Sequence, residues 1–470
     1  MTRVTLTAIY TRDLMRKILT NIKLLCLFTV CLIVSTFSFA TPNIISIDQV
    51  KKDVAYLASD QLKGRGNFSP EIKQAADYIA KRFIESGLSK DSEISSQGLL
   101  QNFKVTKTSP KALKILLNGK VFLPENSAMI STFKNISMDI SNGKKSSDFT
   151  IHNISKNDNV RTTLSNINQL GGKHFVLLNP IHKVLFKRFK QYFNNGVTRL
   201  NADSIKNQGG SIVIVLSDLT TSEIKTLSVS GISSVKQHEL TNVVGVIPGK
   251  KAPEEIVLFS AHYDHLGMTS NNKDSIFNGA NDNASGTAAI INIAQYYAKQ
   301  GNNARTLMFA AFSAEEIGGF GSKYFSKHIN PKSVTAMINI EMIGKPSKFG
   351  AGTLWMTGME RSNLGNQLNS TLSKFGQKIF KDPYPNQGLF YRSDNARLAR
   401  LGVPAHTFSS AQLTNDKDYH KVSDELASLN IPSLHKAIES LIIATKPLVN
   451  RKVTPSRIDV NKLTTKGKIY

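Results

Sequence analysis

The chain has 470 residues, of which 40% are hydrophobic and 20% charged, and its formal net charge is +25 at pH 7. This composition excludes a disordered or fibrous protein and allows either several domains or one large domain with an insertion. Its lysines and arginines are spread along the chain without a recognisable nucleic-acid motif, so we expect a solvated basic surface and no nucleic-acid partner.

The first 40 residues have the layout of a secretory signal peptide. Basic residues precede the apolar run LLCLFTVCLIV, and the small residues Ser38 and Ala40 suit a cleavage site. The run is shorter than the roughly 20 residues of a membrane span, which favours cleavage over a transmembrane anchor. Both cysteines of the chain lie in this segment. We therefore expect residues 1–40 to be removed, leaving a secreted or periplasmic protein without stable membrane insertion.

Two helices and then a stretch of different composition are predicted next. Residues 46–61 and 70–87 have apolar side chains at helical spacing, and the apolar face of the second helix includes Ile84. From about 106 to 238 the chain is rich in Lys, Asn and Ser, with short β-like runs around a helix-like segment. We expect residues 41–105 to be the N-terminal helical part of a larger domain and 106–238 to be an inserted module.

Strand-like and helical segments alternate from about residue 239 to 450, and residues 451–470 are predicted to form a C-terminal tail. The strand-like runs include EEIVLFSAHYD, RTLMFAAFSA and VTAMINIEMI, which are apolar enough to be buried on both faces. This alternation predicts an α/β fold, in which a three-layer domain has a mostly parallel, mixed central sheet flanked by helices. The inserted module would be a smaller unit of this fold.

Histidines and acidic residues occupy the positions where these strands should end. They are His262, Asp264 and His265 after one strand, Asp282 before a helix, Glu315 and Glu316 after the next strand, Glu341 after another, and His420 in a late loop. Each alone has an ordinary explanation, such as a helix cap or a solvated turn. Ligands of open α/β sheets bind outside the strand ends, so we expect these groups to converge. Buried acids need a partner, and two histidines with three carboxylates suit zinc or a similar ion.

A metal held in this way favours hydrolysis. Coordination to such an ion lowers the pKa of water towards ~7, so that hydroxide becomes available at neutral pH. A second acid that does not bind the metal then takes the proton of the water and passes it to the leaving group. The adjacent residues Glu315 and Glu316 suit this division of labour, because neighbouring side chains need not point the same way.

The motifs HYD, NGANDNASG, FSAEEIGG, INIEMIG and DKDYHKVSD, in this order and spacing, resemble the co-catalytic di-zinc aminopeptidase family. That family includes secreted leucyl-type aminopeptidases, glutamate carboxypeptidases and, as a mono-zinc branch, glutaminyl cyclases. The resemblance covers about 239–445 and extends more loosely to 46–105. It implies two zinc ions, peptide substrates and hydrolysis of N-terminal residues from peptides.

The resemblance also implies a role for each matching residue. His262 and Glu341 would bind one ion, Glu316 and His420 the other, Asp282 would bridge both ions, Glu315 would be the general base and then the acid, Asp264 would orient and polarise His262, and Tyr419 would stabilise the oxyanion. Tyr391 is a weaker candidate for that last role. His265 is not expected to bind metal.

Three departures from the family pattern and three alternatives accompany this interpretation. Glu341 stands where aspartate is usual, GANDN replaces GADDN, and SDN at 393–395 replaces SDH. A carboxypeptidase remains possible, because the motifs do not say which end of the peptide is held. A glutaminyl cyclase with one zinc is disfavoured by the complete two-metal set, and a non-enzymatic basic binding protein is disfavoured by Glu315. The sequence does not predict the side-chain preference or the oligomeric state.

Overall fold

The structure, a computed structural model, describes residues 44–91, 94, 98–146, 148–201, 209–270 and 274–463. The predicted signal peptide, residues 1–40, and the last residues of the predicted tail lie outside the described residues. Within the described ranges, no helix combines the length and the apolarity that crossing a bilayer requires.

The helices and strands follow one another along the whole described chain. The helices are α1 (Ile47–Leu57), α2 (Glu71–Glu85), α3 (Val160–Leu170), α4 (Lys183–Asn194), α5 (Ser285–Gln300), α6 (Phe320–Phe325), α7 (Leu364–Leu372), α8 (Asn395–Ala399) and α9 (Ile431–Val449). The strands are β1 (Leu100–Leu117), β2 (Lys120–Val121), β3 (Ser127–Ser131), β4 (Asn135–Ser141), β5 (Lys144–Lys145), β6 (Thr150–Ile154), β7 (Gly172–Leu178), β8 (Val197–Leu200), β9 (Gly210–Leu216), β10 (Leu227–Ile247), β11 (Ala252–His262), β12 (Gly267–Met268), β13 (Ile276–Phe277), β14 (Arg305–Phe312), β15 (Val334–Glu341), β16 (Leu354–Met356), β17 (Ile379–Lys381) and β18 (Ala405–Ser409).

A large mixed sheet with helices on both faces forms the centre of the fold. Its strand order is β17-β16-β18-β15-β11-β14-β10-β1-β2, and β18, β15, β11 and β14 are parallel neighbours. Phe259 and Phe309 face α5 and α2, whereas Leu258 and Met308 face α6 and α8 on the other side. The predicted three-layer α/β fold with a mixed central sheet is therefore confirmed.

The segment between β1 and β10 adds a second sheet. Strands β1 and β10 run antiparallel from Leu100 opposite Val243 to Leu117 opposite Leu227 and so extend well beyond the central sheet. The four strands in the order β3-β9-β7-β6 pack one face on this ribbon and the other on α3 and α4. Because β1 and β10 continue across residues 106 and 238, the domain division at those residues stays a prediction.

Helix α2 differs from its predicted apolar face at one position. Ile84 is 62% exposed, whereas Arg82 is buried. The Nε of Arg82 donates to Oδ1 of the buried Asp53 at 2.9 Å, and the hydroxyl of Tyr78 donates to the same oxygen at 2.6 Å. The need to pair Asp53 therefore turns Arg82 inwards and leaves Ile84 in solvent.

Candidate metal centre

The parallel strands bring the candidate residues to one edge of the central sheet. Strand β11 ends at His262, β15 ends at Glu341, and Glu315 and Glu316 follow the end of β14. The carboxyl ends of parallel strands lie together, so these side chains meet although they are far apart in the sequence. Asp282 reaches the same edge from the turn that precedes α5.

His262, Asp282 and Glu341 form the first group of possible metal ligands. The Nε2 of His262 lies 2.9 Å from Oε1 of Glu341 and 3.4 Å from Oδ1 of Asp282. The other carboxylate oxygen of Glu341 accepts a hydrogen bond from the Ser393 hydroxyl at 2.7 Å, which orients the longer side chain that replaces the usual aspartate. The sequence prediction placed these three ligands together, and the structure brings them together; their binding of an ion stays a prediction.

Glu316, Asp282 and two histidines form the second group. The Nε2 of His420 lies 3.2 Å from Oδ2 of Asp282 and 3.3 Å from Oε2 of Glu316. The Nδ1 of His265 lies 2.8 Å from Oε1 of Glu316, and ligand atoms of His265, Asp282 and Glu316 lie within 4.8 Å of one another. His265, which the sequence analysis did not expect to bind metal, is therefore part of the immediate surroundings of the site.

Asp264 contacts other groups besides His262, its predicted partner. The backbone carbonyl of Asp264 lies 3.1 Å from Nδ1 of His262, whereas the carboxylate is 3.6 Å from that nitrogen. The carboxylate oxygens accept hydrogen bonds from the backbone N–H groups of Glu315 and Glu316, both at 3.1 Å, and from the Asn67 side chain at 2.6 Å. Asp264 thus lies beside His262 and accepts from the backbone of the adjacent glutamates, and its orienting of His262 stays a prediction.

A buried arginine joins the two loops that carry His262 and Asp282. The Nε of Arg65 donates to the carbonyl of Tyr263 at 2.7 Å, and its Nη atoms donate to the carbonyls of Leu57, Asn278 and Gly279. Burial lowers the pKa of Arg65 to about 10, so the side chain stays charged at neutral pH. The sequence analysis assigned Arg65 no role, because most of its partners are backbone atoms of distant segments.

Glu315 and Tyr419 line the same cavity as the possible ligands. Among the described residues, none donates a hydrogen bond to the Glu315 carboxylate, and burial raises the pKa of this carboxyl well above its usual range. The ring of Tyr419 stacks on that of His420, with ring centroids 3.9 Å apart. Burial and then the charges of Asp282 and Glu316 raise the pKa of the Tyr419 hydroxyl, which keeps its proton at neutral pH.

The electrostatics of the centre favour a bound cation. Burial lowers the pKa of His420, but hydrogen bonds to Asp282 and Glu316 outweigh burial and raise it to about 10. In the same way, Glu341 and its neighbouring carboxylates overcome burial and raise the pKa of His262 well above its usual value. The buried carboxylates are therefore stabilised by positive charge placed between them, which a divalent cation provides. The imidazole and carboxylate donor set fits zinc.

Comparison with known proteins identifies the family of this centre. The model of peptidase family M28 matches residues 242–445. This segment is an M28 peptidase domain. The predicted membership of the co-catalytic zinc aminopeptidase family is thereby confirmed, and M28 membership supports a zinc-dependent peptide hydrolase. The number of ions and the end of the peptide that is attacked are separate questions.

Curated relatives of the M28 domain include fungal proteases. The chain is 24% identical to a vacuolar membrane protease of Candida dubliniensis over 50% of this chain and 24% of that protein. It is 33% identical to a vacuolar membrane protease of Schizosaccharomyces pombe over 44% of this chain and 23% of that protein. A probable zinc metalloprotease of Leptosphaeria maculans is 33% identical over 22% of this chain and 25% of that protein. The chain thus spans about a quarter of the length of these relatives.

These relatives correct the predicted location. The sequence analysis expected a secreted or periplasmic protein, but the matched proteins of Candida dubliniensis, Schizosaccharomyces pombe and Schizosaccharomyces japonicus are vacuolar membrane proteases. The prediction is therefore wrong. It depended on the sequence pattern of residues 1–40, and such a pattern does not identify the final compartment of a protein.

Solved structures similar to this one show the same fold. An aminopeptidase from Aneurinibacillus sp. strain AM-1 has a TM-score of 0.54 at 17% identity, over 90% of this chain and 98% of that chain. The zinc aminopeptidase BSAP from Bacillus subtilis has a TM-score of 0.52 at 14% identity, over the same shares of the two chains. At these identities the likeness shows the fold and not the substrate.

Proposed function

We propose that this chain is an aminopeptidase that hydrolyses N-terminal residues from peptides with two zinc ions. The observation that carries the proposal is the pair of donor groups that share Asp282, one with His262 and Glu341 and one with Glu316 and a histidine. A shared carboxylate is what a bridged pair of ions needs. His420 is proposed as the histidine ligand of the second ion, with His265 supporting Glu316.

Glu315 is proposed to move the proton in this reaction. Zinc, when bound, polarises the scissile carbonyl and lowers the pKa of water, which makes water a better nucleophile at neutral pH. The Glu315 side chain lines the cavity beside the ligand groups. Burial raises its pKa, which strengthens it as a base, and the positive charge of bound zinc would favour the ionised form that takes a proton from the attacking water. The same group then delivers the proton to the leaving nitrogen.

Tyr419 and the acidic residues are proposed to hold the substrate. The Tyr419 hydroxyl keeps its proton and lies at the cavity, so it is able to donate a hydrogen bond to the oxygen that becomes negative in the transition state. The carboxylates that line the cavity are proposed to attract a free α-ammonium group. This attraction favours the N-terminal end of a peptide over the C-terminal end.

An apolar wall next to the metal centre is proposed to accept the N-terminal side chain. Met342, Trp355, Leu389 and Leu413 line the cavity together with the acidic groups. Burying an apolar side chain against such a wall contributes about 1.5–3 kcal/mol to binding. Leucine and other apolar N-terminal residues are therefore the proposed substrates.

The test compares substrates that differ in which end is free. We expect the purified protein to hydrolyse leucyl-anilide, to lose this activity with a chelator and to regain it with zinc. N-acetyl-leucyl-anilide should not be cleaved, because it lacks the free amine. Cleavage of N-acetyl-Leu-Ala instead would show a carboxypeptidase, and cyclisation of glutaminyl peptides with one zinc per chain would show a glutaminyl cyclase. Full activity of the metal-free protein would overturn the proposal.

A further inference from the structure

Arg392 lies at the metal centre, and none of the described residues pairs with its charge. It lines the cavity together with Glu315, Glu341 and Tyr419, and its side chain is exposed there. Its neighbour Ser393 donates the hydrogen bond to Glu341 described above, so Arg392 directly precedes a residue that contacts a possible ligand. Within the described part of the chain, its guanidinium makes no ion pair or hydrogen bond.

Two other arginines, Arg361 and Arg400, stack on aromatic rings next to Arg392 in the sequence. Arg361 stacks on the rings of Phe390 and Tyr391, at 4.7 and 5.6 Å from the ring centroids. Arg400 also stacks on Tyr391, at 5.4 Å from the ring centroid. Arg392 comes directly after Tyr391 in the sequence but joins neither stack. Its positive charge instead acts on Tyr419, where it opposes the rise in the pKa of the hydroxyl. Arg392 therefore faces the reaction cavity.

The acids of the cavity do not explain this arginine. Glu316 contacts His265 and His420, and Glu341 contacts His262 and Ser393, so each already has partners. Among the described residues, Glu315 has no such partner, but it forms no ion pair with Arg392. Arg392 is the one lysine or arginine among the described residues that line the cavity. A guanidinium with free donors in a peptide-binding cavity fits a carboxylate, which it binds with two parallel hydrogen bonds.

We propose that Arg392 binds a carboxylate of the substrate on the leaving-group side of the scissile bond. This inference rests on the proposed aminopeptidase activity, since an aminopeptidase holds the amine at the metal centre and leaves the rest of the peptide to extend outwards. The carboxylate has two possible sources, the C-terminus of a dipeptide and an Asp or Glu side chain in the second position. The preferred substrates would then be short or acidic peptides.

The experiment measures kcat/KM for four peptides and one reference. Leu-Ala is compared with Leu-Ala-amide, and Leu-Glu-amide with Leu-Gln-amide, so that each pair differs in one carboxylate; leucyl-anilide, which has none, is the reference. We expect the unaltered protein to prefer the carboxylate in at least one pair by about fivefold, the upper end for a solvent-accessible ion pair. A preference in the first pair identifies the C-terminus, and a preference in the second identifies the side chain.

Variants then assign the preference to Arg392. Arg392→Gln should abolish it, mainly through a higher KM for the carboxylate-bearing peptide, and Arg392→Lys should retain part of it. Arg188→Gln, at an exposed arginine of α4, is the control and should keep the preference. Equal cleavage within both pairs, or a preference that survives in Arg392→Gln, would overturn this inference. If leucyl-anilide were still cleaved in that case, the proposed function would be unaffected. A protein that cleaves no free-amine substrate would overturn both.

Discussion

Asp424 accepts a hydrogen bond from the backbone N–H of Asp282, with 3.0 Å between the amide nitrogen and Oδ2. Its other carboxylate oxygen accepts from the N–H of Asn281 at 2.9 Å, and its backbone carbonyl accepts from the N–H of Ala280 at 3.0 Å. Asp424 lies four residues after His420. The loop that brings His420 to the Asp282 carboxylate therefore also holds the Asp282 backbone.

Asp424→Asn should weaken the hold of this loop on the Asp282 backbone while leaving the His420 side chain in place. An asparagine offers one acceptor and places an amide donor against the second N–H, which leaves a buried group without a partner at a cost of about 1–3 kcal/mol. We expect a lower unfolding temperature and weaker zinc retention on dialysis, measured by thermal denaturation and elemental analysis. Asp459→Asn, at a carboxylate that is 49% exposed, is the matched control and should change neither quantity. Unchanged zinc retention in Asp424→Asn would contradict the account.

The two histidines next to Glu316 should differ in what they do for the metal. The Nε2 of His420 faces carboxylates of both Asp282 and Glu316, whereas Nδ1 of His265 contacts Glu316. His420→Ala should therefore bind less zinc than the unaltered protein and lose activity in proportion. His265→Ala should keep more of its zinc and lose activity through a misplaced Glu316. If elemental analysis gave the opposite order, His265 would be the ligand and His420 the supporting residue.

Arg65→Lys should lower the stability of the protein. An ammonium group is unable to reproduce the planar set of donors that Arg65 presents to the carbonyls of Tyr263 and Gly279. The loss of two charged hydrogen bonds in a buried place should cost on the order of 3 kcal/mol in the free energy of unfolding. Chemical denaturation measures it, with Arg188→Lys as the surface control. Equal stability of the two variants would show that Arg65 is not what joins the loops.

The sequence predicts the edge of the sheet at which the chemistry lies, because that edge follows from local patterns. Strands β11, β14 and β15 are continuous apolar runs, so the polar residues directly after them stand out, as His262 and Glu341 do. The residues that hold the backbone of the site, Asp424 and Arg65, have no such sequence pattern. Asp424 binds backbone N–H groups about 140 positions away, and Arg65 binds carbonyls about 200 positions away, and neither belongs to a periodic pattern.

His265 and Ile84 show two further limits of sequence reasoning. His265 follows His262 by three positions, and the sequence pattern does not distinguish the two histidines. The contact of His265 with Glu316 depends on the turn of the chain after β11, which the sequence does not predict. Ile84 looks like part of an apolar face until the buried Asp53 requires Arg82 on that side. In both cases a tertiary contact with a charged group decides the orientation of a side chain that local spacing leaves open.

The most direct test of the central claim is a joint measurement of zinc content and turnover in Glu315→Gln. The account holds that Glu315 moves the proton while Glu316 binds the metal, so Glu315→Gln should keep the zinc content and the fold of the unaltered protein. Its kcat for leucyl-anilide should fall by about 10²–10⁴, with a smaller change in KM, because a general base acts mainly in the transition state. Glu316→Ala should instead lose zinc. Near-normal turnover of Glu315→Gln, or loss of its zinc while Glu316→Ala kept its own, would contradict the account.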